Sequence, residues 1–259
     1  MTRRCNRSLG RLLGWLVLAA PAAVSAQTLS LSPAVVPLGG RAGQGVRQTL
    51  SLANTTSRTL AFELEARDVV VSGGTRAFVA AGETAGSIAA TAVFSAPRLT
   101  VAPGATGRVD VTMTIPPAAR HRAAVVLFKG TTRLGGDGRT GATVSLGTLF
   151  TFALSDAFSV APSALAVQAQ TASSNLAFQQ VLANDGTEPV VLKGLAVIVD
   201  AAGVLRGRVP FQPHRLLPGE SASLRAEYAG ELPSGRYRAL STFEFEGRSA
   251  TRTAEFEVR

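Results

Sequence analysis

One kind of passage occurs twice in the chain and limits what it can fold into. The first copy is RLTVAPGATGRVDVTMTIPPAARHRAAVVLF, residues 98–128, and the second is HRLLPGESASLRAEYAGELPSGRYRALSTFEF, residues 214–245. Each copy has an apolar pair, a Pro-Gly turn, an alternating strand, a Pro-bearing turn and a second strand. A period of two is typical of strands with one face in a core and the other in water. The passages therefore predict a chain built mainly of such strands.

The repeat extends upstream of these passages. The segment QTLSLANTTSRTLAFELEARDV, residues 48–69, matches LAFQQVLANDGTEPVVLKGLAVIVD, residues 176–200. In both, an apolar strand ends in Ala-Asn, and a polar turn and a longer apolar strand follow. The first copy carries an insertion around Ser72 to Ala92. One architecture used twice, with almost no helix signals, predicts two β-sandwich domains joined near Asp156.

The alternation also predicts core residues. The inward-facing residues are expected to be Val109, Val111, Met113 and Ile115 in the first copy and Ala222, Leu224, Ala226 and Tyr228 in the second. Tyr237 lies near the start of the penultimate strand, where sandwiches often place a tyrosine whose hydroxyl bonds to the backbone. We therefore predict a structural role for Tyr237.

The first 26 residues have the pattern of an export signal. Four arginines precede an apolar run over residues 12–23, and the small residues Val24-Ser25-Ala26 resemble a signal-peptidase site. The run is shorter than the roughly 20 residues that a membrane helix needs, and no later segment is long enough. We expect residues 1–26 to be removed, leaving a mature chain that starts at Gln27 in the periplasm or outside the cell. The single cysteine, Cys5, lies in the removed segment, so no disulfide is expected.

The charge of the chain argues against nucleic acid as a partner. The net charge is +9, but the chain has only two lysines and no basic run interleaved with aromatic residues. After the leader, the first half keeps a basic excess and the second half is neutral. That excess has two interpretations, an acidic or anionic partner or simply a solvated face, and the sequence leaves both open.

Motifs for catalysis are missing from the sequence. The two histidines, His121 and His214, have no second histidine or cysteine at metal-ligand spacing. There is no G-x-S-x-G elbow, P-loop or G-x-G-x-x-G. The paired acids Glu244 and Glu246 are expected to be solvated charges on a hairpin. We predict a protein that is not an enzyme, has no cofactor, metal or small-molecule substrate, and binds another protein.

The first copy resembles a known family. Its segments SLANTTSRTLAFELEA, VFSAPRLTVAPGATGRVDVTMTIP and RAAVVLF look like the N-terminal immunoglobulin-like domain of PapD-like periplasmic pilus chaperones. The resemblance covers roughly residues 28–155. It implies an all-β protein with two immunoglobulin-like β-sandwich domains in tandem, over residues 27–155 and 157–259.

The resemblance also implies a mode of binding. These chaperones donate the last strand of the first domain to a pilin groove, a form of β-augmentation. The matching stretch here is VSLGTLFTFAL, in which Val144, Leu146, Phe150 and Phe152 share one face with Thr148 between them. It is a candidate partner edge for a pilin-like subunit or a second copy of the chain. The alternative is an ordinary core strand.

The family's carboxylate anchor is not matched in this sequence. The family uses an Arg on the first strand and a Lys on the last, but TLSLSPAVV has no Arg, and Leu149 or Thr151 occupies the Lys position. Lys129 and Arg41 are the remaining candidates for an anion or carboxylate contact, with a solvated surface lysine as the alternative for Lys129.

Together these features predict a periplasmic chaperone-like factor for the assembly of a pilus or fimbria. A structural or adhesive immunoglobulin-like module of the envelope is the alternative function. The two are distinguished by whether the neighbouring coding sequences include a pilin-like subunit and an outer-membrane usher.

Overall fold

The computed structural model describes residues 28–134, 140–169 and 175–258, without the side chains of residues 131–134, 140–143 and 169. The regular secondary structure of the described chain is all β-strand apart from one short 3-10 helix at Ala89–Thr91. This confirms the all-β prediction. The predicted leader, residues 1–26, lies outside the described residues. No helix in the described part of the chain is long and apolar enough to cross a membrane.

Ten strands form the first domain. They are β1 (Leu29–Ser32), β2 (Val35–Gly39), β3 (Gly45–Asn54), β4 (Leu60–Ser72), β5 (Thr75–Ala80), β6 (Val93–Phe94), β7 (Arg98–Val101), β8 (Thr106–Thr114), β9 (Ala123–Leu134) and β10 (Thr140–Ala153). One sheet has the order β1-β3-β8-β6, and the other has the order β2-β10-β9-β4-β5 with β7 also paired to β4. Apolar residues of both sheets pack into one core between them.

Nine strands form the second domain. They are β11 (Ala161–Pro162), β12 (Ala166–Ala169), β13 (Leu176–Ala183), β14 (Val190–Asp200), β15 (Leu205–Pro210), β16 (His214–Leu216), β17 (Ser221–Tyr228), β18 (Gly235–Phe245) and β19 (Arg248–Val258). Strands β11, β12 and β17 pair with β13, and the facing sheet has the order β15-β14-β18-β19 with β16 also on β14. In each domain the sheets divide the strands as an immunoglobulin-like sandwich does, which confirms the predicted tandem fold. The predicted division at Asp156 stays a prediction, with the first pair of sheets ending at Ala153 and the second starting at Ala161.

The repeated Asn and Pro-Gly motifs form the same hydrogen bonds in both domains. Asn54 is fully buried and donates Nδ2 to the carbonyls of Arg58 (2.8 Å) and Val101 (3.0 Å). Asn184, also buried, donates Nδ2 to the carbonyls of Glu188 (2.8 Å) and Leu216 (3.2 Å). Each asparagine therefore ties the turn after its own strand to the strand that leads into the Pro-Gly turn.

The Pro-Gly turns complete this motif. The Gly104 N–H donates to the Asn54 carbonyl at 2.8 Å, and the Gly219 N–H donates to the Asn184 carbonyl at 2.8 Å. Both glycines have positive φ, +70° and +76°, in the third position of a turn with proline second, which is the conformation of a type II turn. The sequence repeat is therefore a repeat of one hydrogen-bonded unit.

The predicted core residues lie inside. Val109, Val111, Met113 and Ile115 are at most 1% exposed, while the second-domain set of Ala222, Leu224, Ala226 and Tyr228 is buried or packed against its core. The hydroxyl of Tyr237 donates to the Pro233 carbonyl at 2.7 Å. Its predicted structural role is confirmed.

The β4–β5 hairpin, whose counterpart in the second domain is β14–β15, reaches from the first domain to the second. The extra residues of the first domain follow this hairpin, over residues 81–97 between β5 and β7, where the second domain has residues 211–213 between β15 and β16. Arg76 Nε lies 2.8 Å from Glu220 Oε1, and Arg76 Nη2 donates to the Arg215 carbonyl at 2.8 Å. At the tip of the hairpin, the Ser221 N–H donates to the Gly74 carbonyl at 3.3 Å. The β4–β5 hairpin is therefore part of the contact between the two domains.

A buried carboxylate makes a second interdomain contact. Glu188, fully buried, accepts hydrogen bonds from Arg122 Nε (3.2 Å), the Leu154 N–H (3.0 Å) and Ser155 Oγ (2.8 Å). A buried charge must be paired and hydrogen-bonded to be tolerated, and this one is satisfied entirely by groups of the first domain and the linker. Between the two polar contacts, Leu217 packs against Val69 and Val125.

Candidate functional site: the free edge of β10

The candidate site is one edge of β10, and the neighbouring strand leaves half of it uncovered. On one side, β9 pairs antiparallel with β10 from Thr140 to Thr151. On the other side, β2 pairs parallel with β10 only from Leu149 to Ala153. No described strand pairs with that second side of residues 140–148.

The cover stops where the chain changes sheets. Val35 begins β2, and the preceding Ser32-Pro33 peptide, which is cis, connects it to β1. Strand β1 pairs with β3 in the opposite sheet. The chain therefore covers the edge of β10 only after it has crossed from one sheet to the other.

Three backbone hydrogen bonds show which groups of β10 face the free edge. The Leu149 N–H donates to the Ala34 carbonyl at 3.0 Å, and the Ala153 carbonyl accepts from the Gly40 N–H at 3.1 Å. The Phe152 N–H instead points to the β9 side of the strand, where it donates to the Arg122 carbonyl at 2.8 Å. Backbone groups of successive strand residues point to opposite sides. The N–H and C=O groups of Ser145 and Gly147 consequently point to the uncovered side.

On the core face of β10, the uncovered half is apolar and incompletely buried. Val144 and Leu146 are half-buried, and Leu146 packs against the margin of the first-domain core. Thr148 is fully buried and donates Oγ1 to the Pro33 carbonyl at 2.8 Å, which closes the core where β2 begins.

Phe150 and Phe152 correct the predicted site. Both are at most 1% exposed in the core, and both lie in the half of β10 that β2 already covers. Their side chains have no surface to offer a partner, so their assignment to the partner edge is wrong. The candidate edge is reduced to residues 144–148.

The opposite face of β10 is called the cleft face below, because Thr151 on this face accepts a hydrogen bond from Arg215 of the second domain. Ser145 and Gly147 are exposed there, whereas Leu149 is half-buried and packs against the interdomain cluster around Val125. Gly147 pairs with Leu127 of β9. A Cβ atom on Gly147 would lie 3.1 Å from Leu127 Cδ2 and 3.1 Å from Val125 Cγ2. These two side chains therefore already occupy the space above the glycine.

Lys129 lies beside the edge but has a carboxylate partner. It pairs with Ser145 in the β9–β10 ladder, and its ammonium forms an ion pair with Glu65 of β4. The hydrogen bond from Lys129 lowers the pKa of the Glu65 carboxyl, against the effect of partial burial, and Arg67 lowers it further. Lys129 thus already has a carboxylate partner, which it shares with Arg67, and this disfavours Lys129 as an anion anchor.

Arg41 lies at the other end of β10. It follows β2, and its N–H donates to Gln44 Oε1 at 3.1 Å within the turn that leads to β3. Because β2 pairs with β10 up to Ala153 while Lys129 pairs with Ser145, roughly 26 Å of strand separates the two cations. The structure does not bring Arg41 and Lys129 together, and a contact of either residue with an anion stays a prediction.

The structure places a different arginine against β10. Arg215 of β16 donates Nη1 to Thr151 Oγ1 at 3.1 Å. Burial lowers the pKa of Arg215, with Glu246 raising it and Arg76 lowering it by charge. Sequence reasoning missed this residue because its contact joins the two domains, and no periodicity or motif in the chain signals such a contact.

Among the described residues, no group of three or more His, Cys, Asp or Glu side chains could hold a metal ion. What the edge of β10 can offer is backbone hydrogen bonding and apolar contact. Its uncovered residues, 140–148, contain no Asp, Glu, Lys or Arg.

No family model matches the chain, and no curated protein matches it. Solved structures do match it. One is the class 5 fimbriae chaperone CfaA, at 10% identity and a TM-score of 0.44, over 89% of this chain and 98% of that chain. Another comes from the Salmonella enterica SafA pilin–SafB chaperone complex, at 12% identity and a TM-score of 0.41, over 90% and 99%. A third is the Pseudomonas aeruginosa CupB2 chaperone, at 10% identity and a TM-score of 0.39, over 89% and 100%.

Proposed function

We propose that this chain is an exported binding protein that adds a strand of another protein to the free edge of β10. In this proposal it is a PapD-like periplasmic chaperone, and its partner is a subunit of a surface appendage such as a pilus or fimbria. It works by binding and has no catalytic role.

One observation carries the proposal. Residues 140–148 of β10 are uncharged and unpaired on one side, and the backbone groups of Ser145 and Gly147 point to that side. An uncharged, uncovered edge strand promotes aggregation unless something covers it. Strand addition by a partner provides that cover and uses the same backbone groups for affinity.

The side chains at the edge support the same function. Val144 and Leu146 are both half-buried, and Leu146 packs at the margin of the core, so part of each side chain remains available to an incoming subunit. The export pattern of residues 1–26 also supports this function, because a signal peptide delivers a protein out of the cytoplasm.

The decisive experiment replaces Ser145 by proline. The Ser145 N–H points to the free edge, so a proline there removes a hydrogen bond to a partner strand and none of the β9–β10 bonds. Ser145→Ala keeps the N–H and is the matched control. Where a neighbouring coding sequence encodes a pilin-like subunit, each variant is co-expressed with that subunit in the periplasm, and the co-purified subunit is measured together with the thermal midpoint.

We expect wild type and Ser145→Ala to retain the subunit, and Ser145→Pro to lose at least about nine-tenths of it at a similar midpoint. Unchanged binding by a folded Ser145→Pro protein would refute strand addition at this edge. A structural or adhesive module predicts that no subunit co-purifies with any of the three proteins.

A further inference from the structure

Gly147 leaves the cleft side of the edge without a side chain at the point where a partner strand would lie. From this we infer that the partner carries a large apolar side chain directly opposite Gly147, and that this side chain packs against Leu127 and Leu149. The inference rests on the proposed strand addition and specifies what the partner strand must contain.

The first step is the position of Leu127. It pairs with Gly147 across the β9–β10 ladder, and its Cδ2 would lie 3.1 Å from a Cβ on that residue. Leu127 therefore leans over the glycine toward the free edge, and Val125 does so from the next position on the same face. The apolar side chains of β9 therefore reach the free edge at this position, because Gly147 of β10 has no side chain to separate them from it.

The second step is the geometry of strand pairing. A residue added directly opposite Gly147 has its side chain on the same face as Gly147, which is the cleft face. With any other residue at position 147, that side chain would meet a β10 side chain. Because residue 147 is glycine, the partner side chain and Leu127 can meet above the β10 backbone, each coming from its own neighbouring strand. Leu149, two residues along β10, contacts the partner side chain from the side. A large side chain also shields the exposed glycine backbone from water.

The third step compares the partner position opposite Gly147 with the one opposite Ser145. Two residues away on the same face, Ser145 pairs with Lys129, whose ammonium is bound to Glu65. A partner side chain opposite Ser145 faces a hydroxyl and the ion-paired Lys129. The cleft face therefore selects an apolar residue opposite Gly147 and accepts a polar one opposite Ser145.

The experiment uses random nine-residue peptides displayed on phage and selected on the immobilised mature protein. Peptides are kept only when Ser145→Pro abolishes their binding, which restricts the set to those that use the edge. We expect the retained peptides to share one bulky apolar position, with Phe, Leu, Ile or Trp, and a polar residue two positions away.

A double-mutant cycle then tests the contact. Dissociation constants are measured for wild-type and Leu127→Ala protein with the best peptide and with its alanine variant at the bulky position. Each single change should weaken binding about tenfold, and both together little more than one alone, because both remove the same contact. Gly147→Ala, whose methyl group displaces Leu127, should weaken the same peptide. Val181→Ala, at an exposed position of the second domain (43%), should not.

The outcomes separate the two proposals. Edge-dependent peptides without a shared apolar position, or additive effects in the cycle, overturn the inference and leave strand addition intact. A selection in which no binder depends on Ser145 overturns the inference and the proposed function together.

Discussion

The last strands of the two domains have corresponding places in their sheets but are protected differently. Strand β19 pairs with β18 over its whole length and has no described strand on its other side. It carries four charged residues, Arg248, Arg252, Glu255 and Glu257. Strand β10 carries none, and β2 covers part of its edge. Charge protects an open edge from other strands. The uncharged, half-covered edge of β10 is therefore the one that remains open to a partner.

The difference arises in the first strands of each domain. In the first domain, β1 and β2 pair with opposite sheets, so one of them reaches the edge of β10. In the second domain, β11 and β12 both pair with β13, and β19 receives no cover. The edge of β19, with which no described strand pairs, is thus the edge that carries charged side chains.

The largest expected effect is a difference in stability loss between substitutions in the covered and the uncovered half of β10. Phe152→Ala should lower the free energy of unfolding by about 4 kcal/mol, because it empties a fully buried aromatic site. Leu146→Ala should cost only about 1 kcal/mol, since that side chain is half-buried at the core margin. Chemical denaturation measures both. Equal losses would show that Leu146 is an ordinary core residue and would weaken the case for a partner edge.

The shared asparagine motif tests how alike the domains are. Asn54→Ala and Asn184→Ala should each cost about 2–3 kcal/mol, because each leaves buried carbonyls, such as those of Val101 and Leu216, without a donor. Gln179→Ala, which removes an exposed bond to Ser223, should change stability by less than about 0.5 kcal/mol. A loss confined to one asparagine would mean that the repeated bonds are not equivalent in stability.

The charges of β19 should affect association more than stability. Replacing Arg252 and Glu255 by threonine should change the free energy of unfolding by less than about 0.5 kcal/mol, because both side chains are exposed. The variant should nevertheless self-associate at lower protein concentration than wild type, as followed by light scattering. If association is unchanged, charge is not what protects this edge.

The smallest effect concerns Glu65 beside the edge. Its pKa is lowered in the folded state, so its contribution to stability is present above the unfolded pKa near 4.5 and is lost as the pH falls through the lower folded value. The stability difference between wild type and Glu65→Gln should be constant above about pH 5.5 and shrink below pH 4.5. A difference that grows on acidification would contradict the Lys129–Glu65 pairing beside this edge.

Alternation in the sequence was sufficient to predict the two sandwiches and much of their cores. Residues such as Val109 and Met113 alternate with polar neighbours, and burial follows that pattern because a strand has only two faces. Alternation could not distinguish Leu146 from Phe152, because both side chains lie on the same face of β10. Their difference depends on where β2 begins to pair, more than 100 residues earlier in the chain.

Contacts between the domains were also beyond prediction. Glu188 and Arg215 lie in turns and short strands whose sequences resemble ordinary polar surface. Their partners, Arg122 and Thr151, belong to the other domain. Such pairs depend on the angle between two folded units, and local sequence patterns carry no information about that angle.

The hairpin from the first domain has a consequence for how this protein can evolve. Tandem domains that fold independently can be recombined with foreign neighbours by exchanging one coding segment for another. Here Arg76 binds Glu220 and the Arg215 carbonyl of the adjoining domain, and Gly74 accepts a bond from Ser221. An exchanged neighbour would have to bring the same turn at the same place. A foreign domain without that turn would lose these bonds, so the hairpin links the sequences of the two halves of the gene, although each half repeats the other.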